Sequence, residues 1–254
     1  MSSFAVPADA YDRFMGRYSV PLAPLFADFA GIAQGQRVLD VGCGPGALVA
    51  ELVRRLGAVS VTAVDPSESF VDAVRERHPD VDVGQASAED LPFPDDGFDA
   101  SLAQLVVHFM TDPVAGLGEM ARVTRDGGVV AACVWDHAAG GRGPVSIFWA
   151  VAQELDPAVT GESLFAGTGE GDLARLLDEA RLADVEDAGL TFSVEHETFE
   201  DWWEPYTLGV GPVGVYVSGL EPEHRERLRE GCRAVLPPAP FELEIRAWAA
   251  RGRA

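Results

Sequence analysis

Short apolar runs alternate with amphipathic segments from Arg37 to about residue 135. The runs are VLDV (38–41), VTAV (61–64), VDV (81–83), FDASLAQ (98–104) and VVAACV (129–134). Several are apolar almost throughout, which is typical of strands whose two sheet faces are both covered by helices. Their alternation with helices predicts βαβ units, and therefore a doubly wound, mostly parallel α/β sheet.

The segments between these runs carry apolar side chains at helical spacing. One stripe follows the first strand and consists of Leu48, Val49, Leu52, Val53 and Leu56. Another follows the fourth strand and consists of Val114, Leu117, Met120 and Val123. Asp112 and Pro113 are the predicted cap and first-turn residue of the second helix, and Gly127 and Gly128 its predicted end. Asp172 is the predicted cap of a further helix over 172–182.

The last third of the chain is less regular. Residues 136–171 are rich in glycine and proline and predict a loop-rich cover with one short helix near IFWAVAQEL. A strand at 190–196, a helical excursion over 199–236 and a strand at 241–247 are predicted to follow. The last strand places Glu242, Glu244 and Arg246 on one face. Either a cover helix supplies polar partners there, or the predicted register is wrong.

Composition and charge narrow the class of partner. The chain has 254 residues, enough for one large core, and its 19 basic residues, all arginine, face 41 acidic ones, for a net charge of −22. Such a surface repels phosphate backbones and anionic lipid, which disfavours a nucleic-acid or membrane partner. Cys43, Cys133 and Cys232 are widely spaced and predict reduced thiols without a metal site. With no signal peptide or membrane-length apolar run, the predicted location is cytoplasmic.

The stretch VLDVGCGPG, residues 38–46, carries the candidate chemistry. Gly42, Gly44 and Gly46 allow a tight turn and a close approach of a ligand to the backbone, and the helix that follows offers unpaired N–H groups. The same letters also satisfy the dinucleotide-binding pattern. Asp40 favours a different ligand, because its carboxylate suits an ammonium group or a cationic sulfur better than a pyrophosphate. Cys43 is a small residue in this loop rather than a nucleophile.

Asp65 closes the second strand, nineteen residues after Gly46, where a carboxylate can accept both hydroxyls of a ribose. The third strand leads into GQASAEDLPFPDDGFD, with Ser87, Ala88 and Glu89 at the strand end, LPF after them and FD opening the fourth strand. With these residues the chain resembles class I S-adenosylmethionine-dependent methyltransferases, in the branch with LPFPD-type loops that acts mostly on small molecules. The resemblance is strong over 36–136 and faint after 140.

The resemblance implies a role for each matching position. Asp40 and the loop of Gly42, Cys43, Gly44 and Gly46 would hold the methionine part of S-adenosylmethionine, Asp65 the ribose, and Pro66 or Ser67 the edge of the adenosine. Relatives often have an acidic residue where this chain has Ser87, which leaves Ser87, Ala88 and Glu89 to share the adenine contact. Gln104 would lie beneath the sulfonium, and Arg17 would pair with the methionine carboxylate.

The resemblance also implies an architecture. The sheet would be a Rossmann-like, seven-stranded one in the order 3-2-1-4-5-7-6, with the last strand antiparallel. We expect one methyltransferase domain over 1–254, with a helical cap at 1–36, a cofactor-binding core at 37–135 and substrate-cover segments at 136–171 and 199–236. The reaction expected is in-line methyl transfer to a small-molecule acceptor, driven mainly by proximity and orientation.

Alternatives remain for the reaction and for the histidines. The same scaffold could bind the cofactor without turnover, or serve a nicotinamide-dependent oxidoreductase, although the chain has no lysine for a Tyr/Lys pair. His108 and His137 each follow the carboxyl end of a central strand, where ligands bind in α/β sheets, so either is a candidate general base. Structural packing is the competing interpretation for both.

Overall fold

Seven strands form one mixed sheet in the computed structural model, which describes residues 8–254. Their order is β3-β2-β1-β4-β5-β7-β6, as predicted. The strands are β1 Val38–Val41, β2 Val61–Asp65, β3 Asp82–Gln85, β4 Phe98–Gln104, β5 Thr124–Trp135, β6 Ala183–His196 and β7 Phe241–Arg253. Neighbouring strands from β3 to β5 pair in parallel, whereas β7 runs antiparallel to both β5 and β6. The predicted Rossmann-like α/β class is therefore confirmed.

Ten α-helices surround the sheet within residues 8–254. They are α1 Ala8–Tyr11, α2 Arg17–Phe29, α3 Ala47–Leu56, α4 Glu68–Arg77, α5 Pro113–Val123, α6 Ser146–Leu155, α7 Asp172–Glu179, α8 Phe199–Trp203, α9 Gly211–Gly219 and α10 Pro222–Val235. A π-helical turn, Asp12–Gly16, joins the first two helices. None of the described helices combines the length and the apolar character needed to cross a membrane.

The sheet separates two hydrophobic clusters. One contains buried residues of α2, α3, α4, α6 and the segment 199–236, and the other lies under α5 and α7. Strand β1 contributes to both, since Val38 packs in the first cluster and Leu39 in the second. Every residue of β1 is buried, because helices cover both faces of the parallel part of the sheet.

Local sequence explains where the central helices begin. Gly46, with φ of 101°, directly precedes α3, and the predicted inward residues Leu48, Val49 and Leu52 are buried. The Asp112 side chain accepts a hydrogen bond from the Ala115 N–H at 3.0 Å, which caps α5 as predicted. Because the central strands pair in parallel, their carboxyl ends lie at one edge of the sheet, next to the loops that carry the candidate chemistry.

Several predicted boundaries are wrong. Helix α5 ends at Val123 and β5 begins at once with Thr124, so Gly127 and Gly128 lie within the strand rather than at the end of a helix. Gly171, not Asp172, precedes α7 as its cap residue, and the Asp172 carboxylate accepts from the Gly169 N–H instead. The excursion over 199–236 consists of three α-helices with a 3₁₀ turn between the first two. Residues 1–7 of the expected cap lie outside the described residues.

The polar face of the last strand has a structural explanation. Strand β7 is longer than predicted and pairs with β5 only from Ala247 onward, so its first residues pair with β6 alone. There Arg246 binds the carboxylate of Asp136, with Nη2 2.7 Å from Oδ2, and Glu244 pairs with Arg142. The partners come from the loop after β5, not from a cover helix.

Candidate functional site

The loop after β1 is shaped by glycines in left-handed conformations. Gly42, Gly44 and Gly46 have φ of 72°, 51° and 101°. The N–H groups of Gly42 and Cys43 donate to the Val64 carbonyl at 2.8 and 2.9 Å, which fixes the turn against β2. A Cβ on Gly42 would lie 2.5 Å from Val106 Cγ2, whereas a Cβ on Gly44 would meet no atom within 4 Å. Gly42 is therefore required for close packing against Val106, whereas Gly44 faces open space where a ligand can approach.

Asp40 is fully buried without a partner. Its side chain is 0% exposed, and both of its carboxylate oxygens lack a hydrogen bond within residues 8–254. Burial, with a smaller contribution from the charge of Asp65, raises the pKa of Asp40 to about 8. An isolated buried carboxylate is costly, and a cationic ligand group would remove most of that cost.

Asp65 lies at the end of β2 and faces the same loop. Its Oδ2 accepts from the Gly44 N–H at 2.9 Å and its Oδ1 from the Ser67 N–H at 2.8 Å. Burial raises the pKa of Asp65, and these two N–H groups oppose the increase. Each oxygen retains a second lone pair, so the oriented carboxylate can still accept hydrogen bonds from a ligand. Pro66 is exposed beside it, and its carbonyl accepts from Gln85 Nε2 at 2.8 Å.

The loop after β3 is held mainly by Glu89. One carboxylate oxygen of Glu89 accepts from the Thr111 and Asp112 N–H groups at 2.8 and 3.3 Å, and the other forms a short contact with the Ser87 hydroxyl. These bonds outweigh burial and lower the pKa of Glu89. Glu89 thus fastens the loop to the start of α5, while Ala88 is buried against that helix. The predicted adenine contact lies in this loop, where the carboxylate of Glu89 is already bonded to other residues of the protein.

The N-terminal helix α2 lies over the carboxyl end of β4. Gln104 Nε2 donates to the Ser19 carbonyl at 3.1 Å, and Gln104 Oε1 is buried without a partner in the described chain. Arg17 of α2 binds Asp201 in α8 instead of lying free, with Nη2–Oδ1 2.5 Å apart, and its Nη1 lies 2.8 Å from His196 Nδ1. The predicted contact of Arg17 with a methionine carboxylate would require part of this network to rearrange.

His108 and His137 line a common cavity. About 400 Å³ of space, partly open to solvent, lies between the N-terminal segment, the ends of β4 and β5 and the cover segments. The two imidazole rings are 6.3 Å apart. The remaining lining is largely apolar or aromatic and includes Tyr11, Phe14, Met15, Leu105, Phe109 and Trp135. The two histidines therefore share one candidate acceptor pocket.

Glu162 is the residue of this cavity that sequence reasoning missed. Its Oε2 lies 3.3 Å from His137 Nε2, and its Oε1 accepts from Trp149 Nε1 at 3.2 Å. Burial raises the pKa of Glu162 to about 7 and lowers the pKa of His137 to about 4. Glu162 lies in an irregular segment without periodicity, so no sequence signal marked it as buried.

The cysteines and metal-ligating residues add no further site. Cys43, Cys133 and Cys232 are free and buried, and burial raises the pKa of each thiol. Such thiols are poor nucleophiles, in agreement with the sequence interpretation of Cys43. The part of the chain that the structure describes holds no group of three or more His, Cys, Asp or Glu side chains suited to a metal ion.

Comparison with known proteins agrees with this geometry. Residues 39–132 match the family model described as a methyltransferase domain. An uncharacterized methyltransferase of Mycobacterium tuberculosis is 38% identical over 126 residues, covering 50% of this chain and 49% of the relative. A fatty-acid O-methyltransferase of Mycolicibacterium smegmatis is 37% identical over 125 residues, covering 48% and 45%. The matched region thus spans about half the length of these relatives.

A solved structure supports the fold over nearly the whole chain. A putative methyltransferase from an antibiotic biosynthesis pathway of Anabaena variabilis has a TM-score of 0.63, with 19% identity and coverage of 92% of this chain and 97% of that one. At this identity the likeness concerns the fold alone. The family model, in contrast, covers β1, the glycine loop, β2 and β4. Residues 39–132 of the chain are therefore similar to a methyltransferase domain.

Proposed function

We propose that this chain transfers a methyl group from S-adenosylmethionine to a small, largely apolar acceptor. The observation that carries the proposal is the fully buried Asp40, whose two carboxylate oxygens have no partner in the described chain. It lies just before a glycine loop with open space at Gly44. An ammonium-bearing ligand in that space would satisfy Asp40 and restore its charge.

The residues at the edge of β1 and β2 fit this cofactor. Asp40 and the glycine loop would hold the methionine part, and Asp65, oriented by the Gly44 and Ser67 N–H groups, would accept the ribose hydroxyls. Ser87 and Ala88 would face the adenine. When bound, the cofactor supplies a methyl group already activated by a cationic sulfur. The protein is then required mainly to align the acceptor and to exclude water.

The cavity beside His108 and His137 supports a small acceptor. Its walls are largely aromatic or aliphatic, with polar groups limited to a few positions, a composition typical of small-molecule sites. A relative named for fatty-acid O-methylation is consistent with an apolar acceptor. The net charge of −22 disfavours nucleic acid. We assign the cover segments 136–171 and 199–236 to closing over this substrate.

The alternatives are weaker. An oxidoreductase would place a pyrophosphate beside the buried carboxylate of Asp40, and the chain has no lysine to assist a catalytic tyrosine. A scaffold that binds the cofactor without turnover would have the same loop, so binding alone does not separate it from an enzyme. Transfer of labelled methyl groups does separate the two.

Calorimetry with S-adenosylmethionine tests the site. We expect the wild type to bind and Asp40→Asn to bind at least about tenfold more weakly, since a charge-assisted hydrogen bond contributes roughly 1.5 kcal/mol or more. Asp80→Asn, an exposed site, is the matched control and should bind as the wild type does. Equal affinities for all three proteins would argue against the assignment.

Turnover is tested with tritiated S-adenosylmethionine and fractionated small-molecule extracts. Label is expected in the apolar fractions. Binding without transfer to any fraction would favour the scaffold alternative, and selective binding of NADH would favour the oxidoreductase.

A further inference from the structure

The acceptor cavity contains an acid–imidazole pair that neither the fold nor the glycine loop requires. His137 Nε2 lies 3.3 Å from Glu162 Oε2, and both side chains are nearly inaccessible to solvent. Trp149 Nε1 donates to the other oxygen of Glu162 at 3.2 Å. The indole thus fixes the carboxylate with one oxygen toward the imidazole, in a wall of the cavity.

Two further polar atoms, on residues that line this cavity, lack partners within residues 8–254. His108 Nδ1 and His137 Nδ1 are buried and form no hydrogen bond within residues 8–254. Most buried polar atoms in proteins are hydrogen-bonded, so unpartnered ones beside a cavity indicate a ligand. Because the other walls are largely apolar, that ligand is expected to be an apolar molecule with a single polar group.

The charge state of the pair suits proton transfer near neutral pH. Burial raises the pKa of Glu162 to about 7 and lowers the pKa of His137 to about 4. At a pH above about 7 the pair is therefore a neutral imidazole beside a carboxylate. The carboxylate can accept one proton.

Neither His108 nor Tyr11, the other titratable residues that line the cavity, competes for this proton. Burial, and to a lesser degree His137, lowers the pKa of His108 well below its usual value. Burial also raises the pKa of the Tyr11 phenol, which lines the same cavity and stays neutral. Asp136, which precedes His137, is bound to Arg246 with Nε 2.9 Å and Nη2 2.7 Å from Oδ2.

We propose that the His137–Glu162 pair accepts the proton of a weakly acidic hydroxyl, so that the acceptor of this chain is an apolar hydroxyl compound of the phenol class. The O–H bond of the acceptor breaks and its electron pair stays on oxygen. The proton forms a bond to Glu162 Oε2, the carboxylate oxygen that lies 3.3 Å from His137 Nε2, and His137 positions this oxygen. The resulting oxyanion is the stronger nucleophile. This inference rests on the proposed function, since the oxyanion would attack the methyl group of the cofactor.

Binding without the cofactor tests the pair directly. We expect the wild type to bind 2-naphthol about 10- to 100-fold more tightly than 2-methoxynaphthalene, since only the first can donate to a carboxylate. This preference should decrease as the pH falls through about 7, because Glu162 becomes protonated and loses its acceptor charge. Glu162→Gln keeps an oxygen for Trp149 and should bind both compounds equally. Glu170→Gln, exposed on the same loop, should keep the preference.

Methyl transfer adds a second measurement. Glu162→Gln should lower transfer to 2-naphthol by about 100-fold or more, as expected for loss of a general base, and change transfer to the thiol analogue, which is already ionised, less than about threefold. Equal losses with both acceptors would indicate a merely structural role for Glu162 and would overturn the proposal. The proposal would also be overturned if the wild type did not prefer 2-naphthol to 2-methoxynaphthalene, or if this preference did not change with pH.

The proposed function can fail separately. If S-adenosylmethionine does not bind in calorimetry, the methyltransferase assignment falls, whatever the result with 2-naphthol. If it binds but the wild type does not bind 2-naphthol, only the inference about His137 and Glu162 is overturned.

Discussion

Arg17 in the N-terminal helix and Asp201 in α8 form an ion pair across 184 positions of sequence, with Nη2–Oδ1 2.5 Å and Nη1–Oδ2 2.9 Å. The pair joins α2, whose Ser19 carbonyl accepts from Gln104 Nε2, to α8. Both side chains are about one-third exposed, so solvent screens their attraction. The pair therefore contributes more to positioning these two segments than to stability.

The first prediction concerns this pair. Arg17→Met and Asp201→Asn should each lower the free energy of unfolding by about 1 kcal/mol or less, and the double variant should lose no more than the worse single one. Urea unfolding measures these values. If Arg17 also binds the methionine carboxylate, Arg17→Met will weaken S-adenosylmethionine binding while Asp201→Asn does not. Equal binding in both variants would contradict the role predicted for Arg17.

Asp40 should make the ligand-free protein less stable as the pH rises. Its pKa is raised to about 8, so between the unfolded value and about 8 the unfolded chain releases a proton that the folded chain keeps. Relative to the wild type, Asp40→Asn should therefore gain about 1.4 kcal/mol for each pH unit over this window. Urea unfolding at several pH values measures the gain, and Asp80→Asn, which is exposed, should show none. If the difference in unfolding free energy between Asp40→Asn and the wild type does not change with pH, the carboxylate of Asp40 is not buried without a partner.

Gly42 and Gly44 should respond differently to alanine. Both have positive φ, which costs an alanine roughly 1–2 kcal/mol. At Gly42 the methyl group would also collide with Val106, so this variant should unfold at a clearly lower temperature. At Gly44 the methyl group meets open space, so the main loss should be in cofactor affinity. Thermal unfolding and calorimetry on both variants test the contrast, and the reverse order would contradict it.

Arg246 should matter more for stability than Arg142. Arg246→Met would leave the carboxylate of Asp136, which is 1% exposed, with only the Arg142 N–H, and should cost roughly 3 kcal/mol. Arg142→Gln removes only the half-exposed pair with Glu244 and should cost about 1 kcal/mol or less. Denaturant unfolding compares the two. A similar loss of unfolding free energy in both variants would mean that solvent screens the Arg246–Asp136 pair as it screens a surface pair.

Much of the core could be predicted from local patterns. The bounds of β1 and β4 agree with the predicted runs, because strands buried on both faces are apolar throughout and their ends coincide with a change in composition. The strand order came from the family resemblance rather than from the runs themselves. The end of β7 and the start of β5 were missed, since polar residues there have partners distant in sequence, Glu186 for Arg251 and Asp99 for Arg125.

The sequence by itself determined the alternation that forms the sheet and the two acidic residues that flank a glycine loop, because both depend on neighbours within a few positions. The tertiary structure alone decided that Glu162 meets His137, that Arg17 is paired, and that Val145, Glu162, Gly211 and Pro212 line one cavity. These contacts join segments that are distant in the sequence, and no local pattern marks which residues meet. Their burial and pKa values arise only when distant parts of the chain remove water from the same place.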